Sequence, residues 1–334
     1  MRVLRDVRRC QPTPPTVDFQ RSTRHLAGMR QTATAYAPGS VGNVGPGLDI
    51  LGLAVSGRGD EATFMLRDER GILIADAGHP DLPTDPARHA TAIAASAVFA
   101  RAGFRGGATL HVTKGLPLSG GQGGSAASAI AGAVAANYLL DAGLDAAALL
   151  ECALEAESAV AGRHADNLAP SLLGGLVLVR SLDPIDVIRL PVPPKLRVVL
   201  ALPDQQLQTR DARAVLPKDL PRDVALQQAA NIAAMVAGAC LGDAALIGRA
   251  LDDRIAEPAR AALLPGFIAA KQAAMAAGAL GCSISGAGPT AFALVDDEVV
   301  GARVAAAMTC AYAAAGLQAT TRVATIDLHG ATVR

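Results

Sequence analysis

The chain has 334 residues, of which 51% are hydrophobic, 18% charged and 3% aromatic, and its 30 Lys and Arg balance 30 Asp and Glu. This length suits two domains or one large one, and so apolar a composition with few charges excludes a disordered chain. Zero formal charge argues against a nucleic-acid binder, which carries a basic excess.

Residues 1–30 are expected to be a disordered extension. They carry Arg2, Arg5, Arg8, Arg9, Arg21 and Arg24 without the apolar segment of a signal peptide. The stretch reads either as a transit-like arm or as an over-long start ahead of Met29, and without 1–28 the remaining 24 cations face 28 anions. Thr34–Tyr36 opens a short strand, and a Gly- and Pro-rich loop follows from Pro38 to Gly47. Alternation over 61–66 predicts a half-buried strand, an Ala-rich helix spans 88–102, and a strand covers 108–113. After the loop 115–124 come helices over 125–140 and about 145–160, then β-rich runs at 176–179 and 196–202. Helices at 222–241 and 265–277, a strand at 290–295, a helix at 297–315 and a strand at 318–326 complete the pattern. Strands and helices mix without strict alternation, which indicates an α+β fold. The Pro-rich stretch 190–194 is the expected junction between domains.

Two runs without an acidic or basic residue, 115–140 and 272–295, are long enough to raise the question of membrane spans. Both are interrupted by Gly, Ser and Pro, so neither is a membrane helix. Five scattered cysteines without a C-x-x-C fit neither a disulfide framework nor a zinc site. They read as small core residues in a reducing compartment.

The run 117–128 lies between a predicted strand and a predicted helix. Its glycines allow backbone N–H groups to converge, and the helix adds unpaired N–H groups and the positive end of its dipole. Together they form an anion site that suits phosphates without a Lys or Arg. Ser125 at the helix start can offer an oxygen to a phosphate-bound metal. No G-K-[ST] follows, so this is not a Walker A loop, and the alternative reading is a tightly packed turn.

Two further segments, Tyr36–Leu53 and Gly281–Thr290, change the weighting. With the glycine loop between them, the chain resembles the GHMP small-molecule kinases from about residue 33 to its end. Within that family it is most similar to the homoserine kinase branch. The first motif is matched by Ala37, Pro38, Ser40, Asn43, Gly45, Pro46, Gly47 and Asp49. The segment Glu157–Pro170 matches E-S-x-V-x-G-x-H-x-D-N-x-A-P, and Thr209, Arg210, Arg213, Leu216 and Pro217 match T-R-x-x-R-x-x-L-P. One departure is Gly124, where relatives carry a serine.

The resemblance implies a ribosomal protein S5 domain 2-like N-terminal ATP-binding domain over 31–190 and a ferredoxin-like C-terminal domain over 195–334. It implies ATP and Mg²⁺ as cofactors and phosphorylation of L-homoserine in a cytoplasmic enzyme, with no nucleic acid or membrane as partner; a homodimer is compatible. Pro117, Leu118, Ser119, Gly120, Gly121, Gln122, Gly123, Gly124, Ser125, Ala126 and Ser128 are expected at the nucleotide, and Ser125 with Glu157 at the metal. Asp49 is the expected partner of the substrate ammonium, and Arg213 and Arg260 of its carboxylate, with Arg254 as the alternative to Arg260. Asn43, Thr209, His164 and Asn167 complete the substrate set, with Asn43, Glu157 and Ser125 in the catalytic role. Mevalonate and sugars lack an ammonium, which weighs against those substrates. A non-catalytic sensor would be expected to lose Ser125 or Glu157, and both are present.

Overall fold

The computed structural model describes residues 30–160 and 162–334, so the expected extension lies outside the described residues except for Arg30. β1 (Thr32–Gly42) and β2 (Leu51–Arg67) form a long antiparallel pair in which Ala35 faces Ala62. The register shifts between Pro38 and Gly39, where proline cannot donate to the ladder. The loop expected from Pro38 is therefore strand as far as Gly42. β2 also starts ten residues before the strand expected at 61. Cross-strand pairing and burial override the low strand propensity of Gly39, Gly42, Gly52, Gly57 and Gly59.

β3 (Gly71–Asp76) and β4 (Gly107–Thr113) pair in parallel, and β4 joins β2. β5 (Leu176–Leu182) pairs the start of β2 and also β6 (Ile185–Leu190). On this first sheet lie α1 (Ala90–Arg101), α2 (Gly124–Leu140), α3 (Ala146–Val160) and α4 (Leu168–Leu173). α2 is buried along most of its length, from Ala126 to Leu140. A helix that is apolar all round belongs in a core, which explains the second half of the neutral run 115–140.

The second sheet is antiparallel, ordered β10–β7–β9–β8, with β7 at Arg197–Pro203, β8 at Gly281–Ile284, β9 at Ala291–Val295 and β10 at Ala319–Thr325. Between β7 and β8 run α5 (Thr209–Ala214), α6 (Arg222–Leu241), α7 (Ala244–Ala250), α8 (Ala256–Arg260) and α9 (Phe267–Ala276). α10 (Glu298–Ala314) connects β9 to β10. Helical connection, hairpin, helix, strand is the ferredoxin-like order. The chain then returns to the first sheet, where β11 (Thr332–Val333) pairs with β1, so 195–334 is not confined to the second sheet.

One buried cluster joins the two sheets. Val41, Val44, Leu51 and Leu53 pack with Leu196, Val198, Leu200, Met235 and Phe292. Among the described residues α6 has the length and apolar composition to cross a membrane. Of its 20 residues, Gln228, Asn231, Met235, Gly238 and Ala239 are buried within the protein. Cys152 and Cys282 are buried as expected, whereas Cys240 and Cys310 are exposed, and all four are free thiols.

Candidate active site

A cleft of about 680 Å³ between the sheets gathers residues from all three motifs. Its floor is the glycine loop leading into α2. Ser119, Gly121 and Gly123 have φ values of 52°, 70° and 68°, a left-handed run that glycine permits most readily. The carbonyls of this loop are tied back by the third motif. Thr290 Oγ1 donates to Gly120 O at 2.5 Å, and Ser285 Oγ donates to Gly121 O at 2.6 Å. A Cβ on Gly121 would stand 2.6 Å from the carbonyl oxygens of both Ser285 and Gly288, so no other residue fits there. The third motif thus supports the loop from behind, while Gly286, Ala287 and Gly288 also face the cleft.

Of the eleven residues expected at the nucleotide, ten line the cleft and Gln122 does not. Its side chain turns inward, with Nε2 donating to Thr290 Oγ1 at 3.3 Å, and its carbonyl accepts from Ser40 N at 3.1 Å. Ser128 lies in the wall but its hydroxyl is engaged, donating to Asp60 Oδ2 at 2.7 Å. Gly124 begins α2, where an added Cβ would find Pro117 O at 3.4 Å and Lys114 Nζ at 3.5 Å. Those are ordinary contacts, so space for the serine of relatives is present.

The opposite end of the cleft is polar and charged. Asn43, Val44 and Gly45 have φ values of 65°, 40° and 70°, a strained run for a β-branched valine. Hydrogen bonds from three segments hold it. Asn43 N donates to Asp166 Oδ2 (2.9 Å), Asn43 Nδ2 to Gly286 O (2.8 Å), and Asn43 Oδ1 accepts from Asp49 N (3.0 Å). Asn43 therefore clasps the first motif to the third, a structural duty that the sequence did not suggest. Asn167 Oδ1 accepts from Ser40 Oγ at 3.0 Å. Thr209 opens α5 and lines the cleft.

Asp49 and Arg213, expected at opposite ends of the substrate, meet each other. Arg213 Nη1 and Nη2 donate to the two carboxylate oxygens of Asp49 at 3.1 and 2.5 Å. Their side chains are 37% and 32% exposed, so the pair contributes at most about 1 kcal/mol. The pair thus sets one acidic and one basic group side by side in the cleft wall. Arg260 is 2% exposed and donates through Nε to Ala212 O and through Nη1 to Gly286 O, both at 3.0 Å. Arg254, the alternative, is exposed and pairs with Asp252, and unlike Arg260 it does not line the cleft.

Glu157 near the end of α3, and His164 and Asp166 beyond it, form a buried cluster. His164 Nδ1 lies 3.5 Å from Glu157 Oε1 and 3.4 Å from Asp166 Oδ1. Burial, with Asp166 adding to it, pushes the Glu157 carboxyl up to about 7 against the pull of His164, Ser125 and Arg213. Burial disfavours charge on His164, but Asp166 and Glu157 more than offset it and the imidazole is raised. Ser125 Oγ and Glu157 Oε2 are buried without a hydrogen bond of good geometry, although the hydroxyl lies near enough to ease ionisation of the carboxyl. Two poorly partnered oxygens of this kind in the cleft wall suit a hard cation such as Mg²⁺. Asp49, His164 and Asp166 also bring ligand atoms within 4.8 Å of one another, with Asp49 paired to Arg213.

Several cleft residues lie outside the motifs. Lys114 precedes the neutral run and lines the cleft, a basic side chain that no motif marks. Leu82, Pro83, Arg88 and His89 line the cleft as well. Only the position of Lys114, directly before the loop, could have suggested it.

The descriptions "GHMP kinases N terminal domain" and "GHMP kinases C terminal" match residues 89–175 and 232–314. A homoserine kinase of Chlorobaculum tepidum is 41% identical over 320 residues, covering 91% of this chain and 98% of that protein. A homoserine kinase of Arabidopsis thaliana is 42% identical over 306 residues, covering 89% and 83%. Among solved structures, the crystal structure of homoserine kinase from Cytophaga hutchinsonii superposes with a TM-score of 0.88 at 40% identity, covering 92% of this chain and 99% of that one.

Proposed function

The chain belongs to the GHMP kinases, and from that premise we propose that it transfers the γ-phosphoryl group of ATP to the hydroxyl of L-homoserine, giving O-phospho-L-homoserine for threonine synthesis. The observation that carries this reading is one cleft walled both by the glycine loop at the start of α2 and by the Asp49–Arg213 pair. The first element suits a polyphosphate, and the second suits an α-amino acid.

In this reading the loop 117–124 cradles the triphosphate with backbone amides. Ser125 and Glu157 would hold Mg²⁺, which would supply positive charge beside the phosphates. The substrate ammonium takes Asp49 and its carboxylate takes Arg213, with Arg260 beside it, so that the side-chain hydroxyl reaches toward the γ-phosphate. His164, Asn167 and Thr209 border the bound substrate. Asn43 keeps the first and third motifs in register around the reacting atoms. Phosphoryl transfer depends chiefly on positioning and charge stabilisation, and these residues supply both. A cytoplasmic location, as for soluble metabolic enzymes, and a homodimer belong to the same proposal; sedimentation velocity counts the chains.

The test measures ADP release with homoserine, mevalonate and galactose side by side. Turnover is expected with homoserine alone, and no turnover with it would sink the reading.

A further inference from the structure

We propose that Asp60, which no motif marks, is a positioning residue for the phosphoryl donor, fixing the phosphate loop from beneath. The inference rests on the nucleotide reading above. Asp60 lies on β2 and is completely buried. Its Oδ1 accepts from the backbone N–H of Gly115 at 3.1 Å and of Leu116 at 3.2 Å, the two residues leading into the loop. Its Oδ2 accepts from Ser128 Oγ at 2.7 Å and from Lys114 Nζ. Lys114 Nζ also donates to Ser128 Oγ at 2.9 Å and to Gly124 O at 3.2 Å. One carboxylate thus sets where the loop begins, at 115–116, and where it ends, in the first turns of α2.

The three ammonium hydrogens of Lys114 are matched by three acceptors within the protein, so no donor remains for a direct grip on a phosphate. Lys114 nonetheless lies in the cleft wall, and Asp60 does not. The pair is therefore a fixed dipole with its cationic end toward the anion site, adding to the helix terminus without any rearrangement on binding. Neutralising Asp60 leaves the Lys114 charge buried and uncompensated, which is unfavourable enough to displace it. The displacement carries Gly124 and the loop with it. Among the described residues, Asp60, Lys114 and Ser128 share no hydrogen bond with Asn43, Asp49, Arg213 or Arg260, so the substrate end is expected to shift less than the phosphate loop.

The experiment measures MgATP dissociation constants by calorimetry together with the KM for homoserine and the thermal midpoint, for the parent, Asp60→Asn and Ser128→Ala. Asp60→Asn keeps the shape and one acceptor, and it is expected to weaken MgATP about tenfold or more while the homoserine KM moves less than about twofold. Ser128→Ala leaves the ion pair intact and serves if the first variant does not fold; about threefold weaker MgATP binding, with homoserine unaffected, is expected. Parent-like MgATP affinity in a folded Asp60→Asn protein, or in Ser128→Ala, overturns the proposal. So does a parallel loss for both ligands, the mark of a merely structural role. Failure of the parent to bind MgATP counts instead against the nucleotide reading itself.

Discussion

At Glu157 burial and chemistry pull in opposite directions. With the carboxyl raised to about 7, the folded protein holds a proton that the unfolded chain releases above the ordinary carboxylate range. Stability from this group is complete below about pH 4.5 and is lost as pH rises to about 7. The raised His164 adds a loss of the same sign as pH climbs through its own titration. The thermal midpoint of the ligand-free protein is therefore expected to fall between about pH 5 and 7.5, and Glu157→Gln should flatten much of that slope. Asp49 tests the other end of the cleft. Asp49→Ala should weaken homoserine by ~1.5–3 kcal/mol and leave MgATP nearly unchanged in the same calorimeter. Equal loss for both ligands would show that Asp49 works through the fold. Both residues are visible in the motifs of the sequence, but Asp49 and Arg213 stand 164 positions apart, and no local pattern reveals that they touch.

The elements divide by how local their causes are. α2 and α10 are evident from composition, and Asp297 caps α10 by accepting from Val300 N at 2.9 Å, a contact three residues long. β2 is largely hidden, because its first half becomes strand only through pairing with β1 and β5. α8 is hidden as well. Its five residues lack a helical pattern, and Asp253 makes it by accepting from Ile255, Ala256 and Glu257 N at 2.9–3.0 Å. Since α8 carries Arg260, Asp253→Ala should lower stability by ~1–2 kcal/mol in urea unfolding and raise the homoserine KM. At the phosphate loop, Ser285→Ala leaves the Gly121 carbonyl without its partner. A stability loss of ~1–3 kcal/mol accompanied by weaker MgATP binding is expected, and MgATP affinity equal to the parent's would exclude Ser285 as a support of the loop.

At the scale of the molecule, the two sheets share a core, and the cleft lies where they meet. Met235 on α6 is completely buried in that shared cluster. Met235→Ala should therefore lower unfolding free energy by about 2–5 kcal/mol. Because it loosens both walls together, it should weaken both ligands, unlike the changes at Asp60 or Asp49. The return of β11 to β1 ties the end of the chain into the first sheet, and Arg334 adds an ion pair with Glu61 and a cation–π contact over Tyr36 at 4.4 Å.

The sequence by itself determined the α+β class, the family, the glycine loop and the acidic, basic and small residues that line the cleft. Those features depend on glycine conformation, short-range spacing and composition, all of which are local. Only the tertiary structure decided that Gln122 turns away from the cleft, that Asn43 clasps two motifs, that Asp49 and Arg213 are partners, and that Asp60 and Lys114 lie under a loop that looked free of charge. Each of these is a contact between residues far apart in the chain or the choice of one face over another, and both are set by packing that local periodicity does not encode. The neutral balance of 30 against 30 is likewise silent about where the few decisive charges sit, because burial and pairing, rather than number, give them their effect.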